Sequence, residues 1–516
     1  MQTPKQSQPA LQRRTLLHML TLMGGLSGAG LGSLAWGQPP ASPATDKTQA
    51  DTWRVLSRLG YGVNPGLLRA VQSSSGPRSW ALQQIDAAYT ASQQAPVIAA
   101  DLRNFNQPLP QLIDQARAER EARQKAKGTE KDASESQAVR KLDFSDTSDP
   151  IYFTRMVAMQ AAAWRLTACA SPDDENPLLA RMTEFWFNHF NVYVGKGAVR
   201  PFVGHYVVNV ARAHALGKFE DLVLASAQHP AMLLYLDQAQ SVAEGSRAGG
   251  GSKRGRGLNE NYARELMELH TLGVDGGYTQ TDVREMARVL TGWTVSPQDS
   301  NGFRFVDRLH DSGKKQVLGR SFSAGPFGNG LREGEDAIRM LARHPSTARR
   351  ISRRLAQFFV SDNPSPELVK RLSDAFLSSQ GDMRVVMRTL LESSDFWNPD
   401  NRLFKTPMDY ACSALVATDT AQDRRRLVLS LGFLANAGQP LHGWQTPDGY
   451  KFDAATWLVP EALTRRADYA LAVAKQVPAL DFLSPFLGDA TRQSLAQEKP
   501  ALRAGLALAS PDFMYK

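Results

Sequence analysis

The sequence predicts a mainly α protein, a multi-helix globular domain with one small inserted β-hairpin. Three observations carry this reading. Apolar residues recur at helical spacing, as in Met182, Phe185, Trp186 and His189, in Val283, Met286, Leu290 and Trp293, and in Ile351, Leu355, Phe358 and Phe359. Helix ends carry capping residues. Only Phe303–Gly319 alternates like a strand, with a turn at Asp311-Ser312-Gly313 before Val317-Leu318 resumes.

Taken in order, residues 1–37 follow the logic of a signal peptide. Lys5, Arg13 and Arg14 form a positive start, Thr15–Leu34 is apolar and glycine-rich, and Ala35-Trp36-Gly37 offers small residues for cleavage. Arg13-Arg14 followed by Thr15-Leu16-Leu17 resembles a twin-arginine signal. The expected location is periplasmic or secreted. Residues 38–50 are rich in Pro, Ala and Thr and read as a tether. The main domain then spans 51–516. Trp53–Leu68 opens it as a helix broken at Gly60-Tyr61-Gly62. Residues 115–141 are too charged to bury a face, and 244–257 read as a flexible basic loop around Gly249-Gly250-Gly251.

The chain has 516 residues, of which 42% are hydrophobic and 22% charged, enough for a large core. The formal charge is +9, and loss of the leader's three basic residues leaves +6. That mild excess is compatible with an anionic glycan or wall polymer. No nucleic-acid signature is present, and no apolar stretch of the mature part suggests a membrane span. Cys169 and Cys412 each sit among small residues, which fits either buried packing or one long-range bridge.

Leu258–Trp293 is the most informative segment. Asn259 can cap a helix ending at Gly273, with Tyr262, Leu266 and Leu269 as its buried stripe and Asn261, Arg264, Glu265 and Glu268 opposite. A second helix starts at Thr279, with Asp282 in the reciprocal capping position, and ends at Gly292. Two capped helices joined by a tight turn make an αα-hairpin.

The string Asn259–Gly273, followed by Gly277-Tyr278-Thr279 and Leu290-Thr291-Gly292-Trp293, resembles the hallmark of the domain-of-unknown-function 1800 family. Phe185–Phe190, His310–Lys314, Gly443-Trp444, Trp457 and Ser510–Phe513 resemble further motifs of that family. The resemblance runs from about Trp53 to the C-terminal end, and segments 115–141 and 244–257 look like insertions beyond it. It implies an exported protein, often paired with a sulfatase-like companion, and it implies no reaction.

Several residues carry candidate chemistry. Glu265 and Glu268 lie one turn apart, where paired carboxylates serve as acid and base or bind a divalent metal, or else form salt bridges, Arg264 with Glu268 in particular. His189 lies on an apolar face and must find a partner there. His310 and Asp311 sit in a turn, free to serve a site. Asn188, Arg264, Trp293, Trp444 and Trp457 are candidates for binding substrate, although Trp in a helical protein commonly packs in the core. Arg349, Arg350, Arg353 and Arg354 crowd one helix and read as a solvated face or an anion contact. No Walker motif, no His-Glu-x-x-His and no Gly-x-Ser-x-Gly is present, which disfavours those nucleotide, zinc-protease and serine-hydrolase classes.

Two functions follow. The first is an enzyme acting on an envelope or extracellular polymer through a His/Glu site, with or without a metal. The second is a non-catalytic partner or scaffold for an exported companion enzyme. The His/Glu site requires the Asn259–Leu272 helix to pack near Phe185–Phe190, so that His189, Glu265 and Glu268 converge on one cleft.

Overall fold

Proline at the first turn starts many of the helices, among them Pro65–Ser73, Pro177–His189, Pro345–Phe359, Pro407–Thr418 and Pro500–Ala509. Its missing N–H lies where no intrahelical bond would form, and its fixed φ suits the helix. The computed structural model describes residues 47–126, 150–244, 257–323 and 329–516. The leader, including Arg13 and Arg14, most of the tether, and the greater parts of segments 115–141 and 244–257 lie outside the described residues. The first described helix, Lys47–Arg58, begins within the segment read as a tether. Leu109–Ala126 is one helix running into the charged segment.

The chain is mainly α, as its periodicity predicts, with two small antiparallel sheets. Among the described residues, no helix is long and apolar enough to cross a membrane. Buried apolar side chains from Val55 to Met514 form one continuous core. Arg58 ties the two ends of the domain together. Its guanidinium donates to the carbonyls of Phe359 at 3.2 Å, Val360 at 3.1 Å and Lys516 at 3.3 Å, and to that of Asn401. Close by, Asp409 pairs with Arg181 and with Lys516. Cys169 and Cys412, both buried, form a disulfide between the Phe153–Ala170 and Pro407–Thr418 helices.

The strand-like region is organised differently from the expected single hairpin. Phe303–Phe305 pairs backwards with Trp293–Val295, and Lys315–Val317 pairs forwards with Arg320–Phe322. The second turn is Leu318-Gly319, both at positive φ (49° and 76°), the two-residue geometry that matches strand twist. Asp311-Ser312-Gly313 is a side-chain-stabilised turn between the two sheets, where Asp311 Oδ1 accepts from the Gly313 N–H at 2.9 Å.

The central αα-hairpin forms, and the capping box of Thr279 with Asp282 is present on both sides. Its first helix departs from expectation. It is α-helical only over Asn261–Glu265 and continues as a π-turn over Leu266–His270. A wider turn rotates every following side chain relative to an α-helix. Met267 and His270 therefore turn into the core beside Tyr262 and Leu266, while Leu269, expected in the buried stripe, is only partly buried.

Candidate active site

The Pro177–His189 helix supplies the base of the candidate site. Asn176 caps its first turn, and its C-terminal end carries Asn188, His189 and then Asn191. His189 is fully buried, and its Nε2 donates to the carbonyl of His270 at 3.0 Å. Arg350 Nε donates to the neighbouring Leu269 carbonyl at 3.0 Å. Side chains from two other elements thus satisfy the last carbonyls of the Glu-bearing π-turn, which the helix leaves unpaired. His189 does touch the Asn259–Leu272 segment as expected, and the His270 ring packs 5.1 Å from that of Phe190. Burial, followed by the charges of Arg354 and Arg350, pushes His189 well below the ordinary histidine range. Burial and the same two arginines push His270 down to about 3. Both rings are neutral and neither has Glu265 or Glu268 among its partners, so His189 positions the helix from inside.

Asn188 and Asn191 organise a loop that the periodicity of the sequence does not mark. Asn188 Nδ2 donates to the Tyr450 carbonyl at 2.9 Å, and its Oδ1 accepts from the Tyr450 N–H at 2.7 Å. Asn191 Nδ2 donates to the carbonyls of Trp444 at 3.1 Å and Thr446 at 2.8 Å. Gly449 fits between them at φ +72°, where a Cβ would meet the Asn188 carbonyl at 2.1 Å. The loop is thereby held against the end of the helix, and it presents Trp444 and Asp448.

Asp448 is the functional candidate that sequence reasoning missed. Its Oδ1 accepts from Trp444 Nε1 at 2.9 Å and Thr446 Oγ1 at 2.6 Å, and its Oδ2 from Lys451 Nζ at 3.1 Å. Burial raises its pKa, but the bonds from Thr446, Trp444 and Lys451 together prevail and hold it below the usual aspartate value. Glu265 goes the other way. Burial, the neighbouring charge of Glu268 and, further off, that of Asp448 raise it, against the opposing pull of Arg264. Glu265 also acts electrostatically on Tyr235, whose hydroxyl donates to the Gln445 carbonyl at 2.6 Å in the same loop. The helix that bears Glu265 and the 443–453 loop are therefore near neighbours. Asp448 itself lines a cleft of ≈ 240 Å³ with Arg354, Asp362, Tyr450, Lys451 and Asp453, and Glu265 is not part of that lining.

The other expected site residues fall into place as follows. Glu268 accepts from the Tyr278 hydroxyl at 3.4 Å rather than from Arg264, which pairs with Glu260 at 3.3 Å. Trp444 is half-buried and leans on Tyr450, with ring centroids 4.8 Å apart. Trp457 is buried and donates to the Lys451 carbonyl at 2.8 Å, bracing the loop. Trp293 is fully buried and packs against Gly334, where a Cβ would come within 2.6 Å of its ring. His310 belongs to a separate buried cluster with Glu333, at 3.0 Å, and Lys315, which itself lies 3.0 Å from Glu333. Asp311 pairs with Arg288 at 2.8 Å. Neither has His189, Glu265 or Glu268 among its partners. Among the described residues, no group of three or more His, Cys, Asp or Glu side chains is placed to hold a metal ion.

Fold and cleft define a mainly α protein whose candidate site is built from carboxylates, arginines and a half-exposed tryptophan. The chain belongs to the family described as protein of unknown function (DUF1800), whose model matches residues 54–515. No curated protein and no solved structure matches it.

Proposed function

We propose that this chain is an exported hydrolase that cleaves a glycan-type envelope or extracellular polymer by carboxylate acid–base chemistry. One observation carries the reading. Two neighbouring carboxyl groups, Glu265 beside the π-turn and Asp448 on the cleft, are driven in opposite directions by their surroundings. Such divergence assigns an acid and an anion to a single reaction. Glu265 in its protonated form donates to the leaving oxygen as the glycosidic C–O bond breaks. Asp448, held ionised, stabilises the positive charge that develops on the sugar ring; water then forms the new C–O bond and gives up its proton to the now-ionised Glu265, which restores the starting acid. Trp444, fixed by its bond to Asp448, offers a ring face on which a sugar can stack. The reading needs no metal. Export is supported by the Arg13-Arg14 leader pattern and by the buried Cys169–Cys412 bridge, a linkage that persists in oxidising compartments.

The test is turnover of a polysaccharide panel by Glu265→Gln and Asp448→Asn. Glu265→Gln should lose cleavage of native linkages by about 10²–10⁴-fold, the usual worth of a general acid. It should keep activity on an aryl glycoside whose leaving group needs no proton. Glu265 is protonated below its raised pKa, so wild-type activity should fall as pH climbs through that value. Asp448 sets the opposite limb, and activity should fall as pH drops through its lowered value. Wild-type rates in both single variants on every responsive substrate would refute the assignment.

A further inference from the structure

The Pro345–Phe359 helix, Pro-Ser-Thr-Ala-Arg-Arg-Ile-Ser-Arg-Arg-Leu-Ala-Gln-Phe-Phe, contains four arginines and no acidic residue. Arg349 and Arg353, four residues apart, form one row along it, and Arg350 and Arg354 form a second row about 100° further round. Arg349 and Arg353 are exposed, whereas Arg350 and Arg354 are partly buried. Among the described residues, none of the four makes an ion pair, whereas other buried arginines do, as Arg165 with Glu184 and Arg212 with Glu175.

Arg350 is anchored through Nε to the Leu269 carbonyl and feels the charge of Glu268. Arg354 lines the cleft beside Asp448, where its Nε is buried and has no hydrogen-bond partner. A buried guanidinium N–H without an acceptor is costly. Burial, and the nearby charge of Arg350, lower Arg354 only to about 10, so it stays cationic at neutral pH. Asp448 acts on it only through space, because its own ion pair is with Lys451 and no hydrogen bond joins it to Arg354. Asp362, also in the cleft, spends Oδ2 on the Ala454 N–H and is pushed towards its neutral form by burial. The cleft thus holds a cation that no ion pair neutralises, beside Asp362, Asp448 and Asp453, of which Asp362 Oδ1 also lacks a hydrogen-bond partner, and an exposed pair of like cations lies alongside it on the same helix.

We infer that the polymer bound here is polyanionic and bears carboxylates, as a uronic-acid glycan does, with Arg354 receiving a carboxylate in the cleft and Arg349 and Arg353 guiding the chain along the helix. A planar guanidinium matches a carboxylate in a two-point bond. Exposed arginines add long-range attraction that salt screens. The inference rests on the cleft proposed above as the site of cleavage, but it concerns binding, which is measured without turnover.

The experiment is equilibrium binding of the full mature chain, and of its Asp448→Asn variant, to fluorescently labelled polygalacturonate, dextran sulfate and neutral dextran across a range of NaCl. Polygalacturonate should bind both proteins and weaken as salt rises, and neutral dextran should not bind. The surface double variant Arg349→Gln/Arg353→Gln, which disturbs no core contact, should weaken polygalacturonate binding by about tenfold. Arg354→Gln should weaken polygalacturonate more than dextran sulfate. Equal binding of neutral dextran, or wild-type affinity in the double variant, would overturn the inference. Tighter binding of dextran sulfate that is indifferent to Arg354 would overturn the carboxylate assignment. Polygalacturonate binding without any cleavage would instead remove the hydrolase reading and leave this one standing.

Discussion

Replacing Asn188 by alanine should release the loop that carries Asp448. Asn188 is 3% exposed and makes two bonds to one residue, accepting from the Tyr450 N–H at 2.7 Å and donating to its carbonyl at 2.9 Å. Tyr450 is itself buried, so truncation leaves a main-chain donor and acceptor without partners. Each such group costs about 1–3 kcal/mol, giving about 2–5 kcal/mol for the pair once the loop relaxes a little. For a domain of about 460 residues the unfolding entropy is roughly 1 kcal/mol/K, so the melting temperature should fall by about 2–5 °C. The local signal is sharper. Hydrogen exchange at the Tyr450 amide should speed up strongly, while amides in the Gln280–Val289 helix, in a different part of the core, should keep their protection. Glycan binding should weaken because the same loop sets Tyr450 and Lys451 in the cleft beside Arg354. A variant that melts within about half a degree of wild type and keeps Tyr450 protected would refute the reasoning, because other contacts would then be holding the loop.

Three further outcomes follow from the structure. Asp409→Asn should destabilise by about 3–5 kcal/mol at neutral pH, since it strips the counter-charge from buried Arg181 and Lys516. Burial alone would raise Asp409, but Arg181 and Lys516 hold it far below its ordinary 3.8, so its contribution is present above that value and lost as pH falls through its lowered range. Urea melts of both proteins at pH 7 and pH 3 should therefore differ by less at the lower pH. Cutting the Cys169–Cys412 bridge, which joins positions 243 residues apart, should cost about 2–5 kcal/mol. The bond is buried, so reductant alone should act slowly until urea opens the core, as thiol labelling followed over time will show. Arg13→Lys/Arg14→Lys should trap precursor in the cytoplasm, and export at the normal rate by cells lacking the twin-arginine translocase would exclude that route.

The parts of the fold that were legible in the sequence are those fixed by local chemistry. Thr279 and Asp282 form the expected capping box because both halves of it lie within four residues. Val283 and Met286 are buried because the Gln280–Val289 helix repeats its face, whereas Leu290 and Trp293 are buried beyond its end, Trp293 as the first residue of a strand. Tertiary contacts decide the rest. Leu269 and His270 exchange places because the segment takes a π-turn, which is closed by Arg350 and His189 from elsewhere in the chain. The strand at Phe303 chose a partner earlier in the chain, since Trp293–Val295 carries too short a pattern to read as a strand. Asp448 sits in a loop without period, and its importance comes from Asn188 and Asn191, more than 250 residues away. The pairing Trp444–Asp448, followed by Gly449, was the available signal, an acid set within a tryptophan- and glycine-rich stretch. The arginines of the Pro345–Phe359 helix were visible as a cluster, but nothing in their spacing says that Arg354 turns into a cleft.

The π-turn explains why the two carboxyl groups differ in electrostatic character. By rolling His270 inwards, it brings that ring into the core within 6.4 Å of the His189 ring, where an ordinary α-turn would have set Leu269. Neither ring can supply a positive charge, because burial and the adjacent arginines forbid it. Glu265 is partly buried with Glu268 as its strongest like-charge neighbour, and desolvation dominates its ionisation. Asp448 rests on a loop whose side chains donate to it three times, so hydrogen bonding dominates instead. Two carboxyls of similar intrinsic acidity are separated by the kind of element that carries each, a tightly packed helical turn for one and a polar loop for the other. The asparagines at the end of the Pro177–His189 helix fasten the loop, and the histidine between them fastens the turn. One short stretch of sequence thereby sets the position of both groups.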